Sequence, residues 1–545
     1  MDIKGWSLKE KIGQMFIIAF GGEEMTPELK RAIVELNVGG VILFQRNLKN
    51  IDKVVKLNRD IQMLAKAKGR PPLWISIDQE GGGISYLWEG MVLSPGNMLI
   101  GASENEGNAY DAAYIMGVQL KKLGFNMNFA PDIDINNNPR NPVIGARSFG
   151  ENPQKVSRLG EKTIQGYCSA GILAVGKHYP GHGDTELDSH LSLPKVEKNL
   201  DELEQFELLP FIENIKSGME AVMTAHILFP KLDDEYPATL SSYFLKKLLR
   251  DRYDFDGLIL TDSMEMHAIS KFYGREEGTV KAVQAGADII LACGKDVVTQ
   301  ELMIDAVEQA VRKGVLKEET IQLAVDRVMR FKEKWIGDGG VEDIDLHSLT
   351  QKSYEDNMLR IAKEGITLQF DNSGVLPLTM EEKVKVISQR TYNDENYVGD
   401  RKSIVHKIFH ENRYDVTFLE GSCPSDTEVE RLPETVEKDQ YVLLLVNERR
   451  ALPHSWVDLY EKLSAKSGKV IVVSLWNPQI VEHFPESMST YITTYSYTHQ
   501  VMEALKGLLE GHHPFKGKSP VRLLERKATS CGQVPSKGGT ELEEI

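Results

Sequence analysis

Between Lys177 and His190 the chain reads KHYPGHGDTELDSH, which gathers three histidines, two glycines and three acidic residues into fourteen positions. Three chemistries compete for such a stretch. A helical H-x3-H pair would set His178 and His182 on one face for a metal, but Pro180 and Gly181 break any helix between them. No metal is expected. A phosphate loop places its lysine after the glycines, at a helix N-terminus, whereas here Lys177 comes first. What remains is acid-base work by Asp188-Ser189-His190, on a loop hinged at glycine and proline. In an extended triplet the Asp and His side chains share a face, so the carboxylate can hold one imidazole nitrogen and set the tautomer of the other. An imidazole paired in this way is a general acid-base. The triplet alone fits a surface Asp–His pair equally well.

A second acid stands apart. LILTDSM runs through apolar residues into Asp262, and a buried strand that delivers an acid at its end is where a barrel enzyme places a nucleophile. Cleavage of a glycoside needs a proton donor for the leaving oxygen and, with retention, a carboxylate at the anomeric carbon. His190 and Asp262 would meet those two needs.

The elements that position these residues show as short apolar runs at 15–21, 39–44, 72–78, 125–135, 172–180, 221–230, 257–264 and 288–294. Too short for helices and apolar throughout, they fit parallel strands buried on both faces. Eight of them alternating with helices predict a (β/α)8 TIM barrel. Ser7-x-x-Glu10 reads as the capping box of a helix that precedes the first strand. Asp78, Asp132, Lys177-His178, His226 and Asp262 all fall where a strand runs out, on the face that carries barrel active sites. The expected divisions are a catalytic barrel over 1–337, a Gly/Asp-rich linker over 338–352, a smaller doubly wound α/β domain over 353–525 and a polar tail over 526–545. Strands of the second domain are expected at 384–388, 414–420, 441–447, 469–478 and 489–495, with no GxGxxG turn for a dinucleotide.

The 64 basic and 80 acidic residues give a net charge of −16. That balance argues against nucleic acid or an anionic membrane as partner and favours a small or neutral substrate. Cys168, Cys293, Cys423 and Cys531 are far apart with no CxxC pair, as in a reducing compartment. No secretory leader and no run near the ~20 apolar residues of a membrane span are seen. A cytoplasmic protein without cofactors is expected.

Four ordered segments, ISIDQEGG (75–82), FAPDIDINNNPRNPVIGARSFGENP (129–153), KHYPGHGDTELDSHLSLP (177–194) and GLILTDSMEM (257–266), resemble glycoside hydrolase family 3. Within it they resemble the bacterial β-N-acetylglucosaminidases of peptidoglycan recycling, which use an Asp–His dyad. EGITLQFDNSGVLPL (364–378) and HPFKGKSPV (513–521) extend the likeness into the second half. The resemblance implies Asp262 as nucleophile, His190 as acid-base and Asp188 as its orienting partner. It implies Asp78, Arg147, Lys177 and His178 as ligands of the non-reducing sugar, although Lys177 would equally serve as partner of a barrel carboxylate. His182 receives no role. The activity implied is a retaining exo-β-N-acetylglucosaminidase acting on cell-wall glycan fragments.

One departure stands out. After DQEGG the family usually carries an Arg and, three residues on, a second, where this chain has Gly83 and Tyr86. Subsite contacts should therefore differ, with Tyr86 offering a stacking face. Two rivals share the framework: a family 3 β-glucosidase or β-xylosidase using Glu448 as acid, and a phosphorylase that passes the glycosyl group to phosphate. A hinged loop carrying the proton donor is also expected to move.

Overall fold

The computed structural model describes residues 5–337, 345–379, 381–389 and 401–526. Residues 338–344 of the expected linker and 527–545 of the expected tail, Cys531 among them, lie outside the described residues. Ser7 caps the first helix, Leu8–Gln14, through the reciprocal bonds with Glu10 that the capping box requires.

Nine parallel strands follow: β1 (Phe16–Ile18), β2 (Gly40–Ile42), β3 (Trp74–Ile77), β4 (Met127–Asn128), β5 (Leu173–Ala174), β6 (Gly176–Tyr179), β7 (Ala221–Thr224), β8 (Leu258–Ser263) and β9 (Ile289–Ala292). Their order is β5-β4-β3-β2-β1-β9-β8-β7-β6. The two ends of that order are consecutive in the chain, separated by Val175 alone. They are two halves of one strand, kinked so that β5 completes the ladder to β4 and β6 the ladder to β7. Lys177 also bridges back to Asp132, and the barrel closes as eight β/α units.

The apolar runs are apolar throughout because both faces are covered. Alternate residues Ile17 and Ala19, Met127 and Phe129, Leu173 and Val175, Leu258 and Leu260, and Ile289 and Leu291 form one buried cluster. These are the inward layers of a filled barrel. The intervening Phe16, Ile18, Val41, Ile75 and Ile77 belong to a second cluster shared with the surrounding helices. Val328 and Phe331 of the helix Glu318–Trp335 join the inner cluster as well.

The second sheet comprises β10 (Thr367–Asp371), β11 (Val384–Ser388), β12 (Tyr414–Phe418), β13 (Tyr441–Val446), β14 (Val470–Ser474) and β15 (Thr490–Thr493), in the order β10-β15-β14-β13-β11-β12. All five expected strands are present, and the order reverses between β11 and β13, as in a doubly wound sheet. The sixth, β10, was not expected from the sequence. It is a half-buried edge strand, antiparallel to β15 and interrupted by a bulge between Leu368 and Phe370. It therefore lacks the all-apolar signature of its neighbours.

The two parts interlock. The helix Lys352–Gly365 brings Gly365 so close to Leu99 of the barrel that a Cβ there would sit 2.3 Å from the Leu99 carbonyl oxygen. Near the end of the described chain, Lys518 N–H donates to Ala102 O (3.0 Å) and Glu151 N–H to Pro520 O (3.0 Å). Between them the Trp88 and Tyr497 rings stack at 5.4 Å.

Candidate active site

At the strand-end face of the barrel lies a cavity of about 290 Å³. Ile42, Phe129, Met223 and Leu291, inward residues of four strands, supply its apolar lining. Asp78, Arg147, Lys177, His178, His190 and Asp262 all line it. Of the seven site residues expected from the sequence, only Asp188 is not in the wall, and it is bonded to one that is.

Asp78, Glu80, Arg147 and Lys177 form one ion-pair network. Lys177 Nζ bridges Asp78 Oδ1 (2.6 Å) and Glu80 Oε1 (2.7 Å). Arg147 clamps Glu80 in bidentate fashion, Nε to Oε2 at 2.9 Å and Nη2 to Oε1 at 2.8 Å. Lys177 pairs with barrel carboxylates, as its alternative expectation had it, and also lines the cavity. Burial would raise the Glu80 carboxyl, but the two cations outweigh it and hold the acid well below the usual range. Asp78 goes the other way, because burial outweighs the attraction of Lys177.

His178 has one consistent protonation state. Arg147 Nη2 can only donate, and it lies 3.2 Å from His178 Nε2, so that nitrogen accepts. The proton sits on Nδ1, 2.7 Å from Asp134 Oδ2. Burial, then Arg147 and Lys177, push the imidazole well below its ordinary value, so it stays neutral. Asp132, Asp134 and His178 lie near enough together for a metal ion. Arg147, 3.5 Å from Asp132 Oδ2, already places positive charge against this group. Burial and repulsion from Asp134 drive Asp132 well above the usual carboxylate range.

Asp262 is the penultimate residue of β8, where its Oδ1 accepts from the Ser263 amide at 2.7 Å. Burial would raise its pKa. The field of His226, His178 and His190, with the Ser263 amide, overcomes this and keeps the carboxyl below its usual value. An ionised carboxylate against an apolar floor is a competent nucleophile.

Asp188 Oδ1 accepts from both the backbone N–H and Nδ1 of His190, at 2.9 and 2.8 Å. That fixes the tautomer and leaves Nε2 for proton exchange. His190 stands on the rim with its side chain 62 % exposed, while that of Asp188 is 11 % exposed. The loop between them and β6 is latched. His182, given no role by the sequence, bonds Thr185 Oγ1 through Nδ1 and Ser189 Oγ through Nε2, both at 2.9 Å. These bonds hold the loop together internally, and the His182 backbone N–H donates to Asp134 Oδ1 of the barrel at 2.6 Å.

The second domain reaches the site through the turn after β13. Arg449 lines the cavity, donates to Val143 O (3.1 Å) and lies over the Trp476 ring at 5.6 Å. Arg450 Nη2 bonds Asp188 Oδ2 at 2.7 Å. The preceding Glu448 is turned inward, its Oε1 accepting from Gln389 Nε2 (2.8 Å) and Trp456 Nε1 (3.1 Å). It does not line the cavity.

Glu80, Asp134, Arg449 and Arg450 are the participants that sequence reasoning missed. Glu80 and Asp134 carried a signal, each two residues beyond a strand-end aspartate already singled out. The two arginines carried none.

A parallel barrel that gathers an ionised carboxylate and a carboxylate-backed imidazole around one strand-end cavity is an arrangement that glycoside hydrolysis can use. Residues 7–331 match the description "Glycosyl hydrolase family 3 N terminal domain", and the chain belongs to that family. It is 36% identical over 376 residues to "Beta-hexosaminidase A" of Pseudoalteromonas piscicida, covering 65% of this chain and 63% of that protein. It is 36% identical over 288 residues to "Beta-hexosaminidase" of Neisseria meningitidis serogroup C strain FAM18, covering 52% of this chain and 78% of that protein. Among solved structures, a glycoside hydrolase family 3 beta-N-acetylglucosaminidase from Paenibacillus sp. str. FPU-7 superposes with a TM-score of 0.90 at 37% identity. That match covers 95% of this chain and 99% of the other.

Proposed function

We propose that the protein is a retaining exo-β-N-acetylglucosaminidase that removes N-acetylglucosamine from the non-reducing ends of cell-wall-derived glycan fragments in the cytoplasm. The observation that carries the reading is the pairing, in one cavity, of an ionised Asp262 with a dyad whose free nitrogen is His190 Nε2. The names of the hexosaminidase relatives support the choice of sugar. Among the described residues no helix is long and apolar enough to cross a membrane.

In the first half-reaction Asp262 attacks the anomeric carbon while His190 Nε2 gives its proton to the departing oxygen. Asp188 stabilises the charge on the imidazole as it changes. In the second, His190 takes a proton from water, which displaces Asp262 from the glycosyl intermediate with net retention. Asp78, Arg147, Lys177 and His178 hold the sugar hydroxyls through charge-assisted bonds, fixing the ring for in-line attack.

Matched aryl glycosides test the reading. The N-acetylglucosaminide should exceed the glucoside and xyloside in kcat/KM, and Asp262→Asn should lower it by about four orders of magnitude or more. Faster turnover of the glucoside would overturn the choice of sugar, and full activity of Asp262→Asn the mechanism. N-Acetylglucosamine 1-phosphate formed in phosphate buffer would mark phosphorolysis instead.

A further inference from the structure

We propose that Arg450, contributed by the second domain, is a positioning residue that completes the proton relay of the barrel, making a triad of Arg450, Asp188 and His190. The inference rests on the reading of His190 as the acid-base and goes beyond it by giving the second domain a part in the chemistry.

The two oxygens of Asp188 are divided between two partners. Oδ1 serves the amide and Nδ1 of His190, and Oδ2 serves Arg450 Nη2 at 2.7 Å. Each partner is anchored from its own side. On the barrel side, His182 ties the loop through Ser189, the residue between Asp188 and His190. On the other side, the Arg450 carbonyl accepts from Asn477 Nδ2 at 3.3 Å, the Arg449 guanidinium bonds Val143 O, and Glu448 is fixed by Gln389 and Trp456. Asp188 therefore joins the barrel loop to the second domain, and its carboxylate cannot rotate without giving up one of these partners. The His190 ring inherits that orientation.

Charge is shared as well as geometry. Burial would raise Asp188, but His190 and then Arg450 hold it well below the usual range. Removing the Arg450 cation leaves the full carboxylate charge to His190, which favours the protonated imidazole and makes it a weaker acid. Asp262 and His226 also face His190 across the cavity, whose wall further carries Asp78, Glu80, Tyr86, Arg147, Lys177, His178, His182, Cys293 and Arg449. All of them are unchanged by a substitution at 450.

Arg450→Gln and Arg450→Lys, compared on aryl N-acetylglucosaminides of graded leaving-group acidity, test the proposal. Protonation matters only for poor leaving groups. Arg450→Gln should lose about tenfold or more in kcat/KM on phenyl glycosides, part of the full acid-base effect, while dinitrophenyl glycosides stay near wild type. Its alkaline limb should move to higher pH, and Arg450→Lys should recover much of the loss. An equal loss for all leaving groups with an unmoved pH profile would reduce Arg450 to a structural contact and overturn the proposal, as would no loss. The dinitrophenyl substrate also reports whether each variant is folded. His190→Ala separates the two layers: if it lacks leaving-group dependence, the acid-base reading fails, and if it shows it while Arg450→Gln does not, only the relay fails.

Discussion

A Cβ added to Gly83 of the barrel would lie 1.4 Å from Cζ3 of Trp476 in the second domain. The position at which the family resemblance led to the expectation of an arginine is here filled by an indole from elsewhere in the chain. Arg449, lying over that same indole, brings a guanidinium back to the cavity wall. Tyr86, the other departure, also lines the cavity, its ring edge-on to Phe44 at 5.9 Å.

Restoring the usual residue should therefore do harm. Gly83→Arg is expected to force Trp476 out and to lower both thermal stability and kcat/KM, by about 1–3 kcal/mol in stability as for other overpacked sites. The double variant with Trp476→Ala should recover part of the loss in a melting experiment. Additive losses would show that the two residues do not compete for one space.

Glu80 sits between two cations in a buried network. Glu80→Gln removes the charge that lets Arg147 and Lys177 share one site, and such a break costs about 3–5 kcal/mol. Denaturant titration should show that loss, and KM should rise more than kcat falls, because in the proposed mechanism the displaced cations hold sugar and do not exchange protons.

Glu448→Gln discriminates the rival acid. Its carboxylate is held inside the second domain, so the variant should melt earlier yet keep the wild-type dependence of kcat/KM on leaving-group acidity. A dependence steeper than wild type, as expected of an enzyme without its acid, would move the proton donor from His190 to Glu448.

Lys332 offers a pH test of stability. Its amine is buried with Gln14 Oε1 as partner at 2.8 Å, and burial pushes it well below its ordinary 10.5. Below that value the unfolded chain binds a proton that the folded chain refuses, so stability rises as pH rises toward it. Lys332→Met should raise the melting midpoint at pH 7, and the gain should shrink toward pH 10. A constant gain would mean that the amine is charged when folded.

Much of this was legible in the sequence because a parallel barrel writes its strands as all-apolar runs and its site at their ends. Asp78, Lys177, His178 and Asp262 were found that way, and Asp188 with His190 through local spacing. β10 escaped because a half-buried antiparallel edge needs only one apolar face. Glu80 and Asp134 escaped because the search stopped at the first polar residue after each strand. Arg449 and Arg450 are met only through contacts with Val143 and Asp188, some 300 and 262 residues away, which no local pattern encodes.

The contact of Trp476 with Gly83 also bears on when the protein becomes active during its synthesis. Domains fold as units as the chain emerges, the N-terminal one first. A newly made barrel already holds Asp262 and the Asp188–His190 pair, but it must wait for residues 441–476 to supply Arg449, Arg450 and the indole. Only then does the segment around Pro520 fasten the two parts together. In the proposed mechanism, then, a barrel still on the ribosome would hold Asp262 beside an Asp188–His190 pair that Arg450 has yet to orient.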